Sequence, residues 1–444
     1  MTMLDESAGR GTAIESIRAT PSAAPTAASA KTAPRIYNLF PLLVGRVGDW
    51  AAELPRIARM GFDWVYLNPF HEAGFSGSLY AVKNVDALDS RFRDGSGFGD
   101  DDASLRFFID KAQGTGLKVM IDLVINHASK DAVLAEERRD VFVQNMWGEL
   151  ESPFAVDPDD PTKRTVWGDL AEFDYVKPES RDFLIAYWDR YIARMQDLGV
   201  KGFRCDAAYK VPPAVWEKLI GQAKARDPEA LFAAETLGCT FEETKATAKA
   251  GFDYLFNSFA WWDLKQAWAL ETYEQLRLLA PSISFPENHD MERVAARFPA
   301  DAHERIAREL TLRYALATFF ASGVLMPIGY EWGYRRKLHV VETTPADRES
   351  ETGIDISDRI AAINRLKAAI PAANIEGAAC RLSARDSAYL ALLRLDAGHA
   401  EAAQAAVLVL ANPGDTVATL DPAAILARTG GVFGPFTDRT PHLV

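Results

Sequence analysis

From residue 35 onward, short apolar runs rich in β-branched and aromatic residues alternate with longer stretches in which apolar residues recur every three or four positions. The first kind of run is typical of buried strands, and the second is typical of amphipathic helices. The predicted strands cover residues 36–43, 64–68, 118–124, 202–205, 231–235, 254–257, 282–286 and 323–328. Helices are predicted between them, for example over residues 104–115, 179–197, 213–225 and 302–320. Eight strands that alternate with helices predict an α/β fold in which a parallel sheet closes into a (β/α)8 TIM barrel.

Three segments depart from this alternation and set the predicted domains. Residues 1–34 are rich in Ala, Ser, Thr and Pro without the periodicity of a packed element, so we expect a disordered tail. Residues 35–370 would form the barrel, with a short subdomain inserted after strand three at about residues 128–174, where Pro and Trp occur with little periodicity. Residues 371–444 return to a strand-like pattern and predict a small C-terminal β domain.

Charge and composition narrow the class of partner. The chain of 444 residues carries 49 Lys and Arg against 62 Asp and Glu, a formal net charge of −13. This balance disfavours nucleic acid and anionic membranes as partners. The cysteines Cys205, Cys239 and Cys380 have no metal-like spacing and indicate reduced thiols. No apolar run has the length of a signal peptide or a membrane span, so we expect a cytoplasmic protein.

Polar residues cluster at the ends of four predicted strands, and in a parallel barrel these ends open onto the face where active sites are built. In chain order they are Asp122, Asn126 and His127, then Arg204 and Asp206, then Glu235, and finally Asn288, His289 and Asp290. Taken singly, each has a structural explanation, because an Asp after a strand often caps a helix, a lone Glu is usually solvated or paired, and a His is often a satisfied core residue. Their joint occurrence at four strand ends is hard to produce by packing alone.

Two acidic residues have neighbours that would tune their pKa values. Arg204 and Asp206 lie two residues apart on one strand, so their side chains point to the same side. We expect the guanidinium to hold the Asp206 carboxylate ionised, as nucleophilic attack on a sugar carbon requires. Glu235 follows the apolar run Leu-Phe-Ala-Ala, and partial burial there would raise its pKa toward that of a general acid.

Four segments resemble the conserved regions of the α-amylase superfamily, glycoside hydrolase family 13. They are Asp122-Leu-Val-Ile-Asn126-His127, Gly202-Phe-Arg204-Cys-Asp206, Ala234-Glu235-Thr236 and Phe285-Pro-Glu-Asn288-His289-Asp290. Residues 61–70 and 323–331 are similar to the family's regions at strands two and eight, so the resemblance covers about residues 35–370.

The resemblance implies a retaining enzyme that cleaves α-1,4-glucosidic bonds of an α-glucan or maltooligosaccharide through a covalent glycosyl-aspartate intermediate. Asp206 would be the nucleophile, Glu235 the general acid/base and Asp290 the transition-state stabiliser. The implied substrate-binding residues are Tyr80, His127, Arg204, Tyr209, Lys210, Asn288 and His289. Asp122 and Asn126 would support the site structurally.

The sequence departs from the family pattern on the acceptor side. Tyr209 and Lys210 stand where many members have Lys and His. The run from Met326 to His339 places three basic residues near the predicted barrel mouth and resembles the maltosyltransferase branch of bacterial glycogen metabolism. A phosphate-bearing sugar would suit this basic run, and a solvated loop is the alternative.

No cofactor is predicted, and calcium is left open. Asn126 is a calcium ligand in many family members, and Asp169 is the one further ligand that the sequence offers. A histidine-based metallohydrolase would need three or more ligands, and the sequence has no close histidine pair.

Within the family, hydrolysis of the α-amylase type is the main prediction, and transfer by a glucan or maltosyl transferase is the alternative. Water and a sugar hydroxyl can resolve the same covalent intermediate. A non-catalytic carbohydrate-binding or scaffold homologue is disfavoured, because Asp206, Glu235, Asp290 and Arg204 are all present.

Overall fold

The computed structural model describes residues 33–95, 99–156, 160, 162–429, 433 and 436–438. The predicted tail therefore lies almost wholly outside the described residues, as does the end of the predicted C-terminal domain. The strands are β1 Arg35–Leu39, β2 Trp64–Leu67, β3 His71–Ala73, β4 Val82–Leu88, β5 Lys118–Leu123, β6 His127–Ser129, β7 Phe154–Val156, β8 Arg164–Val166, β9 Leu170–Glu172, β10 Gly202–Cys205, β11 Leu231–Ala234, β12 Tyr254–Phe256, β13 Ser282–Ser284, β14 Gly323–Pro327, β15 Ala379–Arg381, β16 Leu390–Leu395 and β17 Ala406–Ala411. The helices are α1 Pro41–Val44, α2 Val47–Arg59, α3 Asp101–Gly114, α4 Val133–Glu137, α5 Pro178–Leu198, α6 Pro213–Arg226, α7 Phe241–Ala248, α8 Ala267–Leu276, α9 His303–Phe320, α10 Ser357–Ala369 and α11 Pro422–Ala427. None of these helices is long and apolar enough to cross a membrane.

Parallel strands close into a barrel in the order β1–β14–β13–β12–β11–β10–β5–β2. These eight strands are the ones that the hydrophobic pattern predicted, and helices follow them around the barrel. The predicted (β/α)8 fold is therefore confirmed. Most of the strands end one or two residues before the predicted boundary.

The first barrel strand is shorter than its apolar run suggested. β1 ends at Leu39, and the helical turn α1 begins at Pro41. Proline has no N–H to offer a strand ladder, and its fixed φ suits the first position of a helix. The apolar residues after it therefore pack as a helical turn.

The segments between the barrel strands contain structure that periodicity did not reveal. β3 and β4 form an antiparallel hairpin after β2. In the predicted insertion, β6 pairs with β9 and β7 pairs with β8, both in antiparallel register. The strands of the insertion have three residues each, which is too short for an alternating pattern to be recognised.

An antiparallel sheet of β15, β16 and β17 follows the barrel, in the region predicted to be β-like. It is joined to the barrel through Glu376, whose carboxylate accepts hydrogen bonds from Ser282 N at 3.1 Å and Ser322 N at 2.9 Å. These contacts lie at the start of β13 and just before β14, which is the end of the barrel away from the predicted site. The domain boundaries at residues 34 and 370 stay a prediction.

The register of β5, β10 and β11 brings the predicted site residues together. Arg204 lies opposite Asp122 on one side and opposite Ala233 on the other. The pairing continues past the strand ends, because Asp206 N donates to Leu123 O at 3.1 Å and Glu235 N donates to Cys205 O at 3.0 Å. The acidic side chains therefore leave three neighbouring strands at the same end of the barrel.

The strand that carries Arg204 starts at a position with room for glycine alone. A Cβ on Gly202 would lie 2.7 Å from Cζ3 of Trp64 and 3.2 Å from Cε of Met120. Both neighbours belong to a buried apolar cluster contributed by the barrel strands. The small residue lets β10 sit against these side chains without displacing them.

Candidate active site

Arg204 is the centre of the candidate site, because its guanidinium contacts three acidic side chains. Nη1 lies 2.9 Å from both carboxylate oxygens of Asp122 and 2.8 Å from Oδ1 of Asp206. Nη2 lies 3.9 Å from Oε2 of Glu235. The exposed fractions of the side chains are 7% for Arg204, 0% for Asp122, 14% for Asp206 and 11% for Glu235. A single guanidinium is therefore the shared counter-charge of three carboxyl groups that have little contact with water.

Burial raises the pKa of each of these carboxyl groups. Desolvation raises the pKa of Glu235 to about 7, with Arg204 opposing the rise and Asp206 adding to it. The rise expected for Glu235 from its apolar surroundings is thus confirmed. Desolvation also raises the pKa of Asp206 and of Asp122, again against the effect of Arg204. Arg204 lowers the pKa of Asp206, in the direction expected of a charge that keeps this carboxylate ionised, but the loss of water outweighs the guanidinium.

Asp206 and Glu235 share the guanidinium, and the charge of Asp206 raises the pKa of Glu235. Asp206 lies 2.8 Å from a guanidinium nitrogen, whereas Glu235 lies 3.9 Å from one. Because an opposite charge at closer range favours ionisation more strongly, the first proton leaves Asp206. The pair then supplies a carboxylate and a carboxylic acid side by side, which is the combination that attack with acid assistance requires.

Two backbone N–H groups orient the carboxyl of Glu235. Ala207 N donates to Oε2 at 2.9 Å, and Leu237 N donates to Oε1 at 2.6 Å. Ala207 has a φ of 40°, in the left-handed region, where a residue with a Cβ is strained by about 1–2 kcal/mol. The residue after Asp206 therefore holds an unfavourable conformation while its N–H is bonded to Glu235.

Asp290 joins the network through His289 and Tyr80. The Tyr80 hydroxyl lies 2.7 Å from Oδ2 of Asp122 and 2.9 Å from Nε2 of His289. The same His289 nitrogen lies 3.2 Å from Oδ2 of Asp290. The Asp290 side chain is 61% exposed, so a ligand can reach it from solvent. Burial lowers the pKa of His289, although Asp290 acts in the opposite direction.

The other histidine predicted to bind substrate is also buried against Tyr80. Nε2 of His127 lies 3.1 Å from the Tyr80 carbonyl oxygen. Burial lowers the pKa of His127 to about 4. Its ring is therefore neutral near pH 7, and it can orient a hydroxyl group but does not supply a positive charge.

Asn288 shapes the loop that carries Asp290. Its Oδ1 accepts hydrogen bonds from Asp290 N at 3.0 Å and from Met291 N at 3.2 Å. This is the local side-chain-to-backbone bonding typical of Asn in turns. The oxygen is therefore engaged in the turn, and a substrate contact of Asn288 stays a prediction.

Tyr209 and Lys210 lie in the turn Ala208–Lys210 that follows Asp206. Burial raises the pKa of the half-buried Tyr209, and the neighbouring Glu235 charge adds to this rise. Nζ of Lys210 lies 5.3 Å from the centre of the Tyr209 ring and donates to the Phe154 carbonyl oxygen at 3.4 Å. Lys210 thus contacts the insertion, and Tyr209 lies within electrostatic range of Glu235.

Asn126 and Asp169 are the two residues that the sequence offered as calcium ligands. Oδ1 of Asn126 is buried and has no hydrogen-bond partner among the described residues. Asp169 is half-buried, and no group of three or more His, Cys, Asp or Glu side chains that could hold a metal ion occurs in the described part of the chain. Calcium takes 6–8 oxygen ligands, so calcium binding stays an expectation from the resemblance.

The side chains of the basic run near the barrel mouth make hydrogen bonds and ion pairs within the chain. Arg335 donates to the carbonyl oxygens of Ala295 at 2.7 Å and Phe298 at 2.8 Å. Arg336 pairs with Asp347, and Lys337 lies 3.8 Å from Glu292. The hypothesis that this run receives a phosphate-bearing sugar is therefore not supported.

Sequence reasoning missed two buried polar residues that position Tyr80 and Asp122. The Tyr66 hydroxyl donates to Oδ2 of Asp122 at 2.6 Å, and Nδ2 of Asn68 donates to the Tyr80 hydroxyl at 3.0 Å. Tyr66 and Asn68 lie two residues apart at the end of β2. The spacing rule that singled out Arg204 and Asp206 would have found them as well.

A second cavity lies apart from these residues. It has a volume of about 610 Å³ and lies between the start of α9 and the segment 348–354, with Asp301, His303 and Glu351 in its wall. None of the residues predicted for catalysis or substrate binding lines this cavity. The acidic network around Arg204 is therefore the candidate active site.

Comparisons with known proteins agree with this fold. A protein-family model described as "Glycogen debranching enzyme, glucanotransferase domain" matches residues 34–143. The α-1,4-glucan:maltose-1-phosphate maltosyltransferase of Burkholderia pseudomallei is 28% identical over 420 residues, which cover 93% of this chain and 36% of the relative. The enzyme of the same name from Mycobacterium tuberculosis is 30% identical over 263 residues, which cover 52% of this chain and 35% of the relative. The chain thus spans about a third of the length of these relatives.

Among solved structures, the crystal structure of an α-amylase from Lactobacillus plantarum superposes with a TM-score of 0.59 at 23% identity. The superposition covers 81% of this chain and 87% of the amylase. At this level of identity the likeness concerns the fold.

Replacement of Arg204 tests whether the guanidinium holds the acidic network together. We expect Arg204→Gln to lower the free energy of unfolding by about 3–5 kcal/mol, because buried carboxylates lose their counter-charge. The three carboxyl pKa values are already raised on folding, so stability is lost as the pH rises through them. In the Arg204→Gln variant, this loss of stability with rising pH is larger. The difference in free energy of unfolding between the variant and the parent chain, measured by urea unfolding, should therefore be greater at pH 8 than at pH 5.

The matched control is Arg194→Gln. Arg194 pairs with Asp86 and Asp102 at the surface, where such a change costs about 0–1 kcal/mol. An equal loss for both variants, or a difference independent of pH, would contradict the role given to Arg204.

Proposed function

Because the chain belongs to the α-amylase superfamily, glycoside hydrolase family 13, we propose that it is a retaining transglycosylase that passes a maltosyl or other α-glucosyl unit to an α-glucan. The observation that carries the proposal is the buried pair of Asp206 and Glu235 at one guanidinium. The names of the relatives favour transfer over hydrolysis, since the curated relatives described above are maltosyltransferases.

In the first step, a carboxylate oxygen of Asp206 attacks the anomeric carbon of the donor sugar. The bond from that carbon to the leaving oxygen breaks, and Glu235 gives its proton to the leaving oxygen. Desolvation raises the pKa of Glu235 to about 7, so the proton is available near neutral pH. Arg204 becomes the counter-charge of Glu235 as this residue ionises, since Nη2 lies 3.9 Å from Oε2.

In the second step, Glu235 acts as a base toward the acceptor hydroxyl. The hydroxyl oxygen attacks the anomeric carbon, the bond to Asp206 breaks, and the proton returns to Glu235. Two inversions at one carbon retain its configuration. Asp290 is exposed to the cleft and tied to His289, so it is placed to hydrogen-bond sugar hydroxyls and to stabilise developing positive charge.

The donor in this proposal is a maltosyl phosphate, as the names of the curated relatives state for those enzymes. The leaving phosphate would depart on the side of Glu235. Lys210 lies there beside Tyr209 and is exposed, and it can offer an ammonium group to an anionic leaving group. Arg335 makes two short hydrogen bonds to backbone oxygens, whereas the exposed Lys210 makes one longer contact of this kind, at 3.4 Å, which favours Lys210 as the cation.

Hydrolysis of the α-amylase type is the competing function, because water can take the place of the acceptor hydroxyl. A non-catalytic scaffold is disfavoured by the raised pKa of Glu235 and by the strained Ala207 beside it. Such features are costly in a fold that does no chemistry and are typical of functional sites.

The products decide between these functions. We expect the chain, incubated with maltoheptaose and maltose 1-phosphate, to release inorganic phosphate and to form chains longer than maltoheptaose. Size separation of the products and a phosphate assay measure both. Asp206→Asn is the matched control and should lower turnover by at least about a thousandfold without unfolding, because the nucleophile is lost.

Three results would count against the proposal. Only shorter sugars would mean hydrolysis, near-parental activity of Asp206→Asn would remove the nucleophile assignment, and no product under any condition would support a scaffold. Longer chains without phosphate release would mean transfer from a glucan donor.

The pH dependence tests the acid role of Glu235. With a glucan donor, kcat/KM should fall about tenfold per pH unit above the Glu235 pKa of about 7, because only the protonated carboxyl can assist the leaving oxygen. With α-maltosyl fluoride, whose leaving group needs little proton transfer, the fall should be absent or begin at a higher pH. The same alkaline fall with both donors would argue against Glu235 as the acid.

A further inference from the structure

The loop that carries Asp290 is closed by a buried ion pair. Nη1 of Arg293 lies 2.7 Å from Oε1 of Glu287, and the two side chains are 1% and 2% exposed. The second oxygen of Glu287 accepts a hydrogen bond from Val294 N at 2.7 Å. Glu287 lies three residues before Asp290, and Arg293 lies three residues after it. The two ends of the loop are therefore held together around Asp290.

The same arginine ties this loop to the segment that follows β14. Nη2 of Arg293 donates to the Ile328 carbonyl oxygen at 2.9 Å, and Nε donates to the Arg336 carbonyl oxygen at 3.2 Å. Ile328 is fully buried, and its N–H donates to the Asn38 carbonyl oxygen on β1 at 2.9 Å. The loop is therefore anchored to the barrel through a residue that is itself bonded to a neighbouring strand.

The segment after β14 makes the reciprocal contact. Nη1 of Arg335 donates to the Ala295 carbonyl oxygen at 2.7 Å, and Nη2 donates to the Phe298 carbonyl oxygen at 2.8 Å. Each segment thus places one guanidinium on backbone carbonyl oxygens of the other. We call Arg293, its partner Glu287 and Arg335 the arginine clasp.

The clasp makes more contacts than charge balance requires. A buried ion pair is by itself weak evidence for stability, because apolar residues of similar volume often serve a fold as well. A guanidinium differs from them because its N–H donors form a planar fork of fixed geometry. In Arg293, Nε, Nη1 and Nη2 each have an acceptor. Such a fork determines where the backbone around it lies.

Asp290 itself has little packing that could orient it. Its side chain is 61% exposed, and its carboxylate lies 3.2 Å from Nε2 of His289. Asn288 orders the turn through Asp290 N and Met291 N, but this bonding lies within the loop. The clasp, in contrast, joins the loop to another segment, so it sets the position of Asp290 relative to the barrel.

From these contacts we infer that the arginine clasp holds the Asp290 carboxylate in place for the reaction, which makes Glu287, Arg293 and Arg335 positioning residues. This inference rests on the proposed function, in which Asp290 stabilises developing positive charge. A misplacement of about 1 Å at a reacting centre can cost about a hundredfold in rate. The basic run near the barrel mouth thereby gains a role through Arg335, which acts on the site through the backbone of the neighbouring loop.

Loss of either fork should lower the rate while the chain stays folded. We expect Arg293→Lys and Arg335→Lys each to lower kcat/KM for α-maltosyl fluoride by about ten- to a hundredfold, because lysine keeps the charge but lacks the planar fork. Fluoride release measures the rate, and urea unfolding confirms that each variant is folded.

Arg35→Lys is the matched control for these variants. Arg35 lies 3.0 Å from Asp63 and donates to the Gly61 carbonyl oxygen at 2.9 Å. It begins β1, so its contacts lie at the end of the barrel away from Asp290. This change should leave the rate as it was, although it also removes a fork.

A double-mutant cycle tests whether the clasp acts through Asp290. In a chain that carries Asp290→Asn, adding Arg293→Lys should change kcat/KM for α-maltosyl fluoride by no more than about twofold, because the carboxylate that the clasp positions is already lost. With a glucan donor, the alkaline fall set by the Glu235 pKa of about 7 should keep its midpoint in Arg293→Lys. Ala207 N and Leu237 N hold Glu235, and the clasp does not bond to either.

Four outcomes would overturn the inference. They are parental rates in both clasp variants, an equal loss from Arg35→Lys, multiplication of the two separate losses in the cycle, and a shifted midpoint of the alkaline fall. The half-buried Arg335 leaves the ion pair intact when it is replaced, so Arg335→Lys decides the question if Arg293→Lys does not fold.

Hydrogen exchange separates this inference from the proposed function. Both clasp variants should speed the exchange of backbone amides in residues 287–298, measured by mass spectrometry of peptides, and Arg35→Lys should not. This readout does not depend on turnover. Absence of fluoride release by the unaltered chain would refute the proposed function. Fluoride release by the unaltered chain, with parental rates and parental exchange in the clasp variants, would refute the clasp alone.

Discussion

The structure depends on a single guanidinium that serves three carboxyl groups in a site with little water. Arg204 can neutralise one negative charge, and Asp122 already contacts it through both oxygens. Removing water from the remaining acidic groups raises their pKa values, and that of Glu235 reaches about 7. Desolvation, which a single guanidinium only partly offsets, is therefore what provides a protonated acid next to a carboxylate.

The barrel supplies this arrangement through strand register rather than through proximity in sequence. Asp122, Arg204 and Ala233 lie side by side on three parallel strands, and the loops after them carry the reactive groups. Backbone donors complete the site, as Ala207 N and Leu237 N hold the two oxygens of Glu235. The left-handed conformation of Ala207 shows that the chain tolerates local backbone strain at a residue whose N–H orients the Glu235 carboxyl.

Strong local patterns in the sequence predicted the barrel strands and the four clusters of polar residues, because buried strands and strand-end side chains leave a clear signal. The three-residue strands of the insertion left none. The rise of the Asp206 pKa could not be predicted, because adjacency to Arg204 can be read from spacing whereas the depth of burial cannot. Lys210 was predicted to bind substrate, but its contact with the backbone of Phe154 depends on the folded insertion.

The most direct test of the account is whether a sugar becomes attached to Asp206. In the Glu235→Gln variant, an α-maltosyl fluoride donor can still react with Asp206, but no base remains to activate the acceptor, so the covalent intermediate should accumulate. Mass spectrometry of a proteolytic digest should find a maltosyl group on the peptide that contains Asp206, and on that residue. A sugar attached elsewhere, or consumption of the donor without any adduct, would contradict the account.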